Sequence, residues 1–207
     1  MKVLNLYAGI GGNRKLWSND NKIVAVEINK RIAEEYQSNY PNDEVVITDA
    51  HTFLLENFED YKFIWSSPPC PTHSNMNNFL YAQGVKRYPD MKLYEEIVLL
   101  NHFCKSKFVV ENVKSYYKPL IRPYEVDRHY FWSNFIIPNR KFKPINLSLT
   151  NARSSTRRAS TKHRKDLEKY HDIKSNNTQA LINCVNPKLG LYVYNCAFKV
   201  KQEKLIN

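Results

Sequence analysis

Short apolar runs recur along the chain with polar, helix-spaced stretches between them, the rhythm expected of strands buried on both faces that alternate with helices. Residues 2–7 (Lys-Val-Leu-Asn-Leu-Tyr), 23–28 (Ile-Val-Ala-Val-Glu-Ile), 45–50 (Val-Val-Ile-Thr-Asp-Ala), 61–66 (Tyr-Lys-Phe-Ile-Trp-Ser) and 107–110 (Lys-Phe-Val-Val) read as strands. Helices are expected to open at Asn13–Trp17 and at Lys30–Tyr36. A third is marked by the spacing of Leu93, Tyr94, Ile97, Leu100, Phe103 and Cys104, which places Cys104 in a core. Strand and helix in alternation predict an α/β fold with a mostly parallel, doubly wound sheet. Residues 75–90 show no clean period and contain Gly84 with adjacent Lys86 and Arg87, so they read as a loop placed to act as a lid. A β-rich run follows at 129–137, and composition turns polar and basic after Pro138.

The strand ends carry the candidate chemistry. The first runs into Ala8-Gly-Ile-Gly-Gly12, the second ends at Glu27, the third at Asp49, the fourth at Ser-Ser-Pro-Pro-Cys70-Pro, and the fifth at Glu111-Asn-Val113. Open α/β sheets bind ligands beyond the carboxyl ends of their strands, so these residues share one crevice. Pro68, Pro69 and Pro71 terminate the fourth strand and hold Cys70 in a stiff turn. Taken alone, that segment fits an incidental buried thiol as well as a reactive one, and Asp49 fits a helix cap as well as a ligand contact. The glycine turn lacks the third glycine of a dinucleotide fingerprint, because Arg14 stands there, which disfavours a nicotinamide oxidoreductase.

Charge narrows the partner. With 31 basic against 20 acidic residues the chain carries a net +11, a footprint expected of a polyanion binder. Arg153, Arg157, Arg158, Lys162, Arg164 and Lys165, interleaved with Ser and Thr, suit phosphate contacts, with a solvated basic loop as the alternative. The four cysteines show no C-x-x-C spacing, so neither a metal centre nor a disulfide framework is expected. No stretch approaches the roughly 20 apolar residues of a membrane span, and a cytoplasmic protein is expected.

The ordered set Tyr7-Ala-Gly-Ile-Gly-Gly12, Glu27, Asp49, Pro69-Cys70, Glu111-Asn-Val113 and Arg128 resembles the cytosine-5 DNA methyltransferases over residues 1 to about 135, in a short, phage-like form. The resemblance implies a Rossmann-like S-adenosylmethionine-dependent fold. It divides the chain into a catalytic domain at 1–138, a reduced target-recognition segment at 139–172 and a return to the catalytic domain at 173–207. Cys70 would add to carbon 6 of a flipped cytosine, Glu111 would serve N3 and Arg128 would serve O2. Glu111 would then need a raised pKa. Cofactor contacts would come from Tyr7, Ala8, Gly9, Gly11, Gly12, Glu27, Ile28, Asp49, Ala50, Pro69 and Asn183, with Ser74, Lys86, Arg87 and the basic segment on the nucleic acid. Asn112 would support the cysteine loop from behind.

Departures from the family pattern are Asn5 for an acid, Pro71 for a glutamine, Ile182 for the late glycine and Val126 for one of two arginines. The implied partner is double-stranded DNA bound by a monomer of bacterial or phage origin, with a separate specificity partner or a restriction enzyme as further possibilities. An RNA cytosine methyltransferase and a nucleic-acid-binding relative without turnover are the alternatives.

Overall fold

The computed structural model describes residues 1–142 and 161–198. One sheet of seven strands holds β1 (Lys2–Leu6), β2 (Lys22–Val26), β3 (Glu44–Val46), β4 (Phe63–Ser66), β5 (Lys107–Val113), β6 (Tyr124–Val126) and β7 (His129–Ser133). Their order across the sheet is β3-β2-β1-β4-β5-β7-β6. The first five pair in parallel, and β7 runs antiparallel between β5 and β6. The helices are α1 (Lys30–Asn39), α2 (Ala50–Asn57), α3 (Met76–Ala82), α4 (Lys92–Phe103), α5 (Thr161–His171), α6 (Thr178–Asn183) and α7 (Pro187–Phe198). No helix among the described residues is long and apolar enough to cross a membrane.

Successive side chains of a strand point to opposite faces, so each apolar run supplies two cores. Val3, Phe63, Trp65, Val109 and Phe131 face one way and pack with Trp17, Leu189 and Val193. Leu4, Leu6, Ile64, Phe108 and Val110 face the other way and pack with Leu54, Leu93, Ile97 and Leu100. Burial on both faces explains why these strands read as continuous apolar runs. The α/β expectation and the doubly wound sheet hold.

Three local expectations are corrected. No helix follows the glycine turn: residues 12–17 form successive turns, including Trp17 N–H to the Arg14 carbonyl at 3.0 Å. Asn13, Arg14 and Trp17 are all buried, and their partners lie in different directions. Asn13 pairs with Asn5 at 2.7 Å, Arg14 grips Asp43 through Nε and Nη2 at 2.9 and 3.0 Å, and Trp17 stacks on Tyr194. The 75–90 loop contains helix α3, stapled by Asn77 Nδ2 donating to the carbonyls of Pro71 and Ser74. Strand β5 runs past Glu111 to Val113, because β7 pairs Phe131, Tyr130 and His129 opposite Glu111, Asn112 and Val113.

Candidate active site

A cavity of about 1020 Å³ opens at the carboxyl edge of the sheet. It runs from the turn after β1, past the Cys70 loop after β4, to the end of β5, the β6–β7 turn and α6. Expected site residues Tyr7, Ala8, Gly9, Gly12, Glu27, Pro69, Cys70, Ser74, Glu111, Arg128 and Asn183 line it. Gly11, Ile28, Asp49, Ala50, Lys86 and Arg87 are not among its lining residues.

The turn after β1 is held by Glu27, whose Oε2 accepts from Gly9 N–H at 3.0 Å while Oε1 accepts from Asn29 N–H at 2.9 Å. The three glycines do different work. A Cβ on Gly11 would overlap the Tyr40 ring, and one on Gly12 would overlap Cys184 Sγ and the Val185 carbonyl. At Gly9, with φ of +53°, a Cβ would meet nothing within 4 Å, so its bare backbone faces open cavity. Gly12→Ala is therefore expected to lower stability by about 1–3 kcal/mol through overpacking. Gly9→Ala is expected to cost about 1–2 kcal/mol of backbone strain and, in addition, to weaken cofactor binding. Denaturant titration and calorimetric cofactor titration of both variants check this; an unchanged cofactor affinity in Gly9→Ala would contradict it.

Asp49 is the N-cap of α2: its Oδ1 accepts from Thr52 N–H at 2.9 Å and from Thr52 Oγ1 at 3.0 Å, and this hydrogen bonding holds its carboxyl below the usual range. Of the two readings its sequence position allowed, the geometry shows the cap. Ile28 is two-thirds exposed and Ala50 is buried in the α2 core.

Cys70 sits on a turn whose carbonyl accepts from both His73 and Ser74 N–H at 3.0 Å. Asn112 braces this loop, donating from Nδ2 to the Pro68 carbonyl at 3.0 Å while its Oδ1 accepts from Val113 N–H. Burial, then the Glu111 carboxylate, pushes the Cys70 thiol up, so the thiol is protonated at rest. Glu111 is 5% exposed, and burial pushes its carboxyl up to about 7. A hydrogen bond from Ser67 partly offsets that rise, and Ser67 in turn accepts from Trp65 Nε1 at 2.8 Å. The expectation of a raised Glu111 pKa thus agrees with the geometry. His129 Nε2 lies 3.7 Å from Glu111 Oε1. Burial and the Arg128 charge lower His129 to about 4, so the contact near neutral pH is with an uncharged imidazole and is no ion pair. Arg128 itself stands exposed on the two-residue β6–β7 turn, next to Asp127 at φ +54°.

Sequence reasoning missed a buried hub behind the site. Glu96 on α4 is fully buried; Tyr7 and Ser66 hydroxyls donate to it at 2.6 Å each, and His51 Nδ1 lies 3.1 Å away. Tyr7, at φ +53°, is thereby anchored on the cavity wall through its hydroxyl. The signal was present: position 96 falls among Leu93, Tyr94, Ile97 and Leu100 on the apolar face of α4. A charge at such a position demands partners. The equally buried Arg14–Asp43 pair was hidden because its members lie 29 residues apart.

The basic segment is divided. Arg153, Arg157 and Arg158 lie outside the described residues, and Lys162 is placed in α5 only by its backbone. Arg164 reaches Glu168 one turn along α5 at 3.9 Å, and Lys165 is exposed. Leu167 of this helix packs with Ile10, Ile173 and Leu181, which ties α5 to the glycine turn and to α6.

A sheet of this strand order with one antiparallel strand, β7, among the described residues, and a glycine turn at the β1 edge, defines the Rossmann-like class of S-adenosylmethionine-dependent methyltransferases. Residues 1–120 match the model of the C-5 cytosine-specific DNA methylases, and the chain belongs to that family. It is similar to the human tRNA (cytosine(38)-C(5))-methyltransferase, 26% identical over 119 residues that cover 49% of this chain and 30% of that protein. The match thus spans less than a third of the curated relative's length. Among solved structures, it resembles DNMT2 from Spodoptera frugiperda at 26% identity, with a TM-score of 0.38 over 55% of this chain and 35% of that one. A putative DNA modification methyltransferase from an Escherichia coli prophage is 16% identical, with a TM-score of 0.44 over 70% and 52% of the two chains.

S-adenosylmethionine is the family's cofactor, and the residues present fit it. Gly9 leaves backbone open to the cavity, Glu27 keeps lone pairs beyond those given to Gly9 and Asn29, and Asn183 also lines the cavity. Among the described residues no cluster of ligating side chains could hold a metal ion.

Proposed function

We propose that the chain methylates carbon 5 of cytosine in DNA, with Cys70 as the nucleophile that adds to carbon 6. The observation that supports this best is one cavity shared by the Cys70 thiol, the buried Glu111 carboxyl and the open Gly9 turn. Bound S-adenosylmethionine supplies an electrophilic methyl group on sulfonium. Carbon 5 of cytosine is a weak nucleophile until a thiolate adds at carbon 6 and converts the ring to an enamine. A protonated Glu111 serves this step twice. It hydrogen-bonds N3, where charge develops, and its neutrality removes the smaller, repulsive part of what raises the Cys70 thiol beside burial. Arg128, on the cavity rim, meets the charge at O2. Cys70 gives up its own proton to solvent water before it adds; once carbon 5 carries the methyl group, water takes the carbon 5 proton, Cys70 leaves as the thiolate and the ring is restored.

The chain acts as a monomer, and the basic residues from Arg153 to Lys165 lie along the phosphates, where binding weakens steeply with salt. A cytosine bearing fluorine at carbon 5 has no proton to lose there, so methyl transfer to such DNA leaves the protein covalently attached. A denaturation-resistant, tritium-labelled complex on that DNA is the expected result; release of free methylated product would contradict the adduct. The tRNA substrate named for the human relative supports RNA as a second reading. Transfer measured side by side on DNA and total tRNA separates the two.

A further inference from the structure

Two serines end β4, and they face opposite sides of the sheet. Ser66 gives its hydroxyl hydrogen to Glu96 behind the site. Ser67 shares the other face with Trp65 and lines the cavity beside Glu111. The pairing of β4 with β5 runs up to Ser66 opposite Val110, so Ser67 and Glu111 are the next neighbours along the two chains. The backbone there is fixed on both sides: Ser67 N–H meets the Leu6 carbonyl at 3.4 Å, and Asn112 holds the Pro68 carbonyl. An indole N–H can only donate. Trp65 is fully buried and directs Nε1 at Ser67 Oγ, 2.8 Å away, which turns the hydroxyl hydrogen away from the indole. That hydrogen goes to the Glu111 carboxyl. Of the other groups about Glu111, His129 is uncharged and its Nε2 lies 3.7 Å off, beyond hydrogen-bond reach. The Cys70 thiol is protonated, and Arg128 stands on the exposed β6–β7 turn.

We infer that Ser67, oriented by Trp65, is a positioning residue that keeps one oxygen of the protonated Glu111 carboxyl as the acceptor and so leaves the proton on the other oxygen, free for N3 of the cytosine. This rests on the proposed cytosine reading. A carboxylic acid accepts best through its carbonyl oxygen, and Ser67 selects which oxygen that is. As the Cys70 thiolate adds at carbon 6, the displaced ring electron pair reaches N3 and takes the Glu111 proton. The carboxylate left behind keeps the Ser67 hydrogen bond, which strengthens as charge develops on it. The proton returns to Glu111 when the ring is restored.

Infrared difference spectra of the free protein, taken below and above pH about 7, isolate the Glu111 carboxyl, and the band missing from Glu111→Gln identifies it. A hydrogen bond to the carbonyl oxygen weakens the C=O bond. In Ser67→Ala the band is therefore expected at higher wavenumber, and in Ser67→Thr close to its wild-type position. Methyl transfer from tritiated S-adenosylmethionine is measured on unmethylated DNA and on total tRNA. Ser67→Ala is expected to lose about tenfold in kcat, the worth of one hydrogen bond, with cofactor affinity unchanged. Ser67→Thr is expected to restore most of that loss. Removing a donor to the carboxylate also moves the pH limb of Glu111 upward, so the alanine variant loses activity while holding more protonated acid. Higher transfer by Ser67→Ala above pH about 7 would mean that Ser67 only tunes acidity, and would overturn the inference. An unshifted band or an unchanged kcat in the alanine variant overturns it too, with the cytosine reading left standing. A wild type that transfers to neither nucleic acid overturns that reading, and the inference with it.

Discussion

Replacing Cys70 with alanine is expected to reduce methyl transfer by about four orders of magnitude or more, while S-adenosylmethionine still binds. The magnitude follows from the chemistry, because without addition at carbon 6 the ring never becomes nucleophilic at carbon 5. The structure adds a reason why the thiol is quiet in the free protein. Burial raises it, and an ionised Glu111 raises it further. The checks are single-turnover transfer, cofactor titration and a melting curve for Cys70→Ala. Near-normal transfer by a folded variant would remove Cys70 from the mechanism.

Glu111→Gln carries the second large effect, a loss of about 10²–10⁴ in transfer, since an amide cannot pass a proton to N3. Its pH dependence is more diagnostic. Glu111 works protonated and titrates at about 7, so wild-type kcat/KM attributable to this group falls as pH rises through about 7. The residual activity of Glu111→Gln lacks that limb. Stability moves in the same direction. A carboxyl whose folded pKa lies above its unfolded value binds more protons when folded, so stability declines as pH rises from about 4.5 to about 7. That decline is worth about 3 kcal/mol for a group buried as Glu111 is. The glutamine variant escapes it and is expected to gain stability relative to wild type between pH 4 and 8. Urea melts at the two pH values measure this; a constant difference between the proteins would mean that Glu111 is ionised at both.

Much of this molecule was legible from pattern. Apolar runs long enough for a strand, with no polar face, demand a sheet covered on both sides, and strand ends in such a sheet share one edge. That reasoning brought Gly9, Glu27, Asp49, Cys70 and Glu111 to one crevice, and the cavity is lined by all of them but Asp49. Asn112 donating to the Pro68 carbonyl agrees with the support of the cysteine loop that the family resemblance implied. Local propensity fails where a residue's role depends on what packs against it. The turn at Asn13–Trp17 looked helical because its partners Asn5, Asp43 and Tyr194 are distant in sequence.

The same limit separates residues within the site. Sequence alone determined which residue types meet at the sheet edge and in what order, because strand polarity and turn chemistry are local properties. Only the tertiary structure decided their states. It assigned Asp49 to capping α2 and Gly12 to packing against Cys184, and it turned Gly9 toward open space. It buried Glu96 as the anchor of Tyr7, and it set Glu111 near neutrality by removing water from its carboxyl. Desolvation, close packing and long-range hydrogen bonds depend on neighbours that the chain supplies from elsewhere, and they exist only once it has folded.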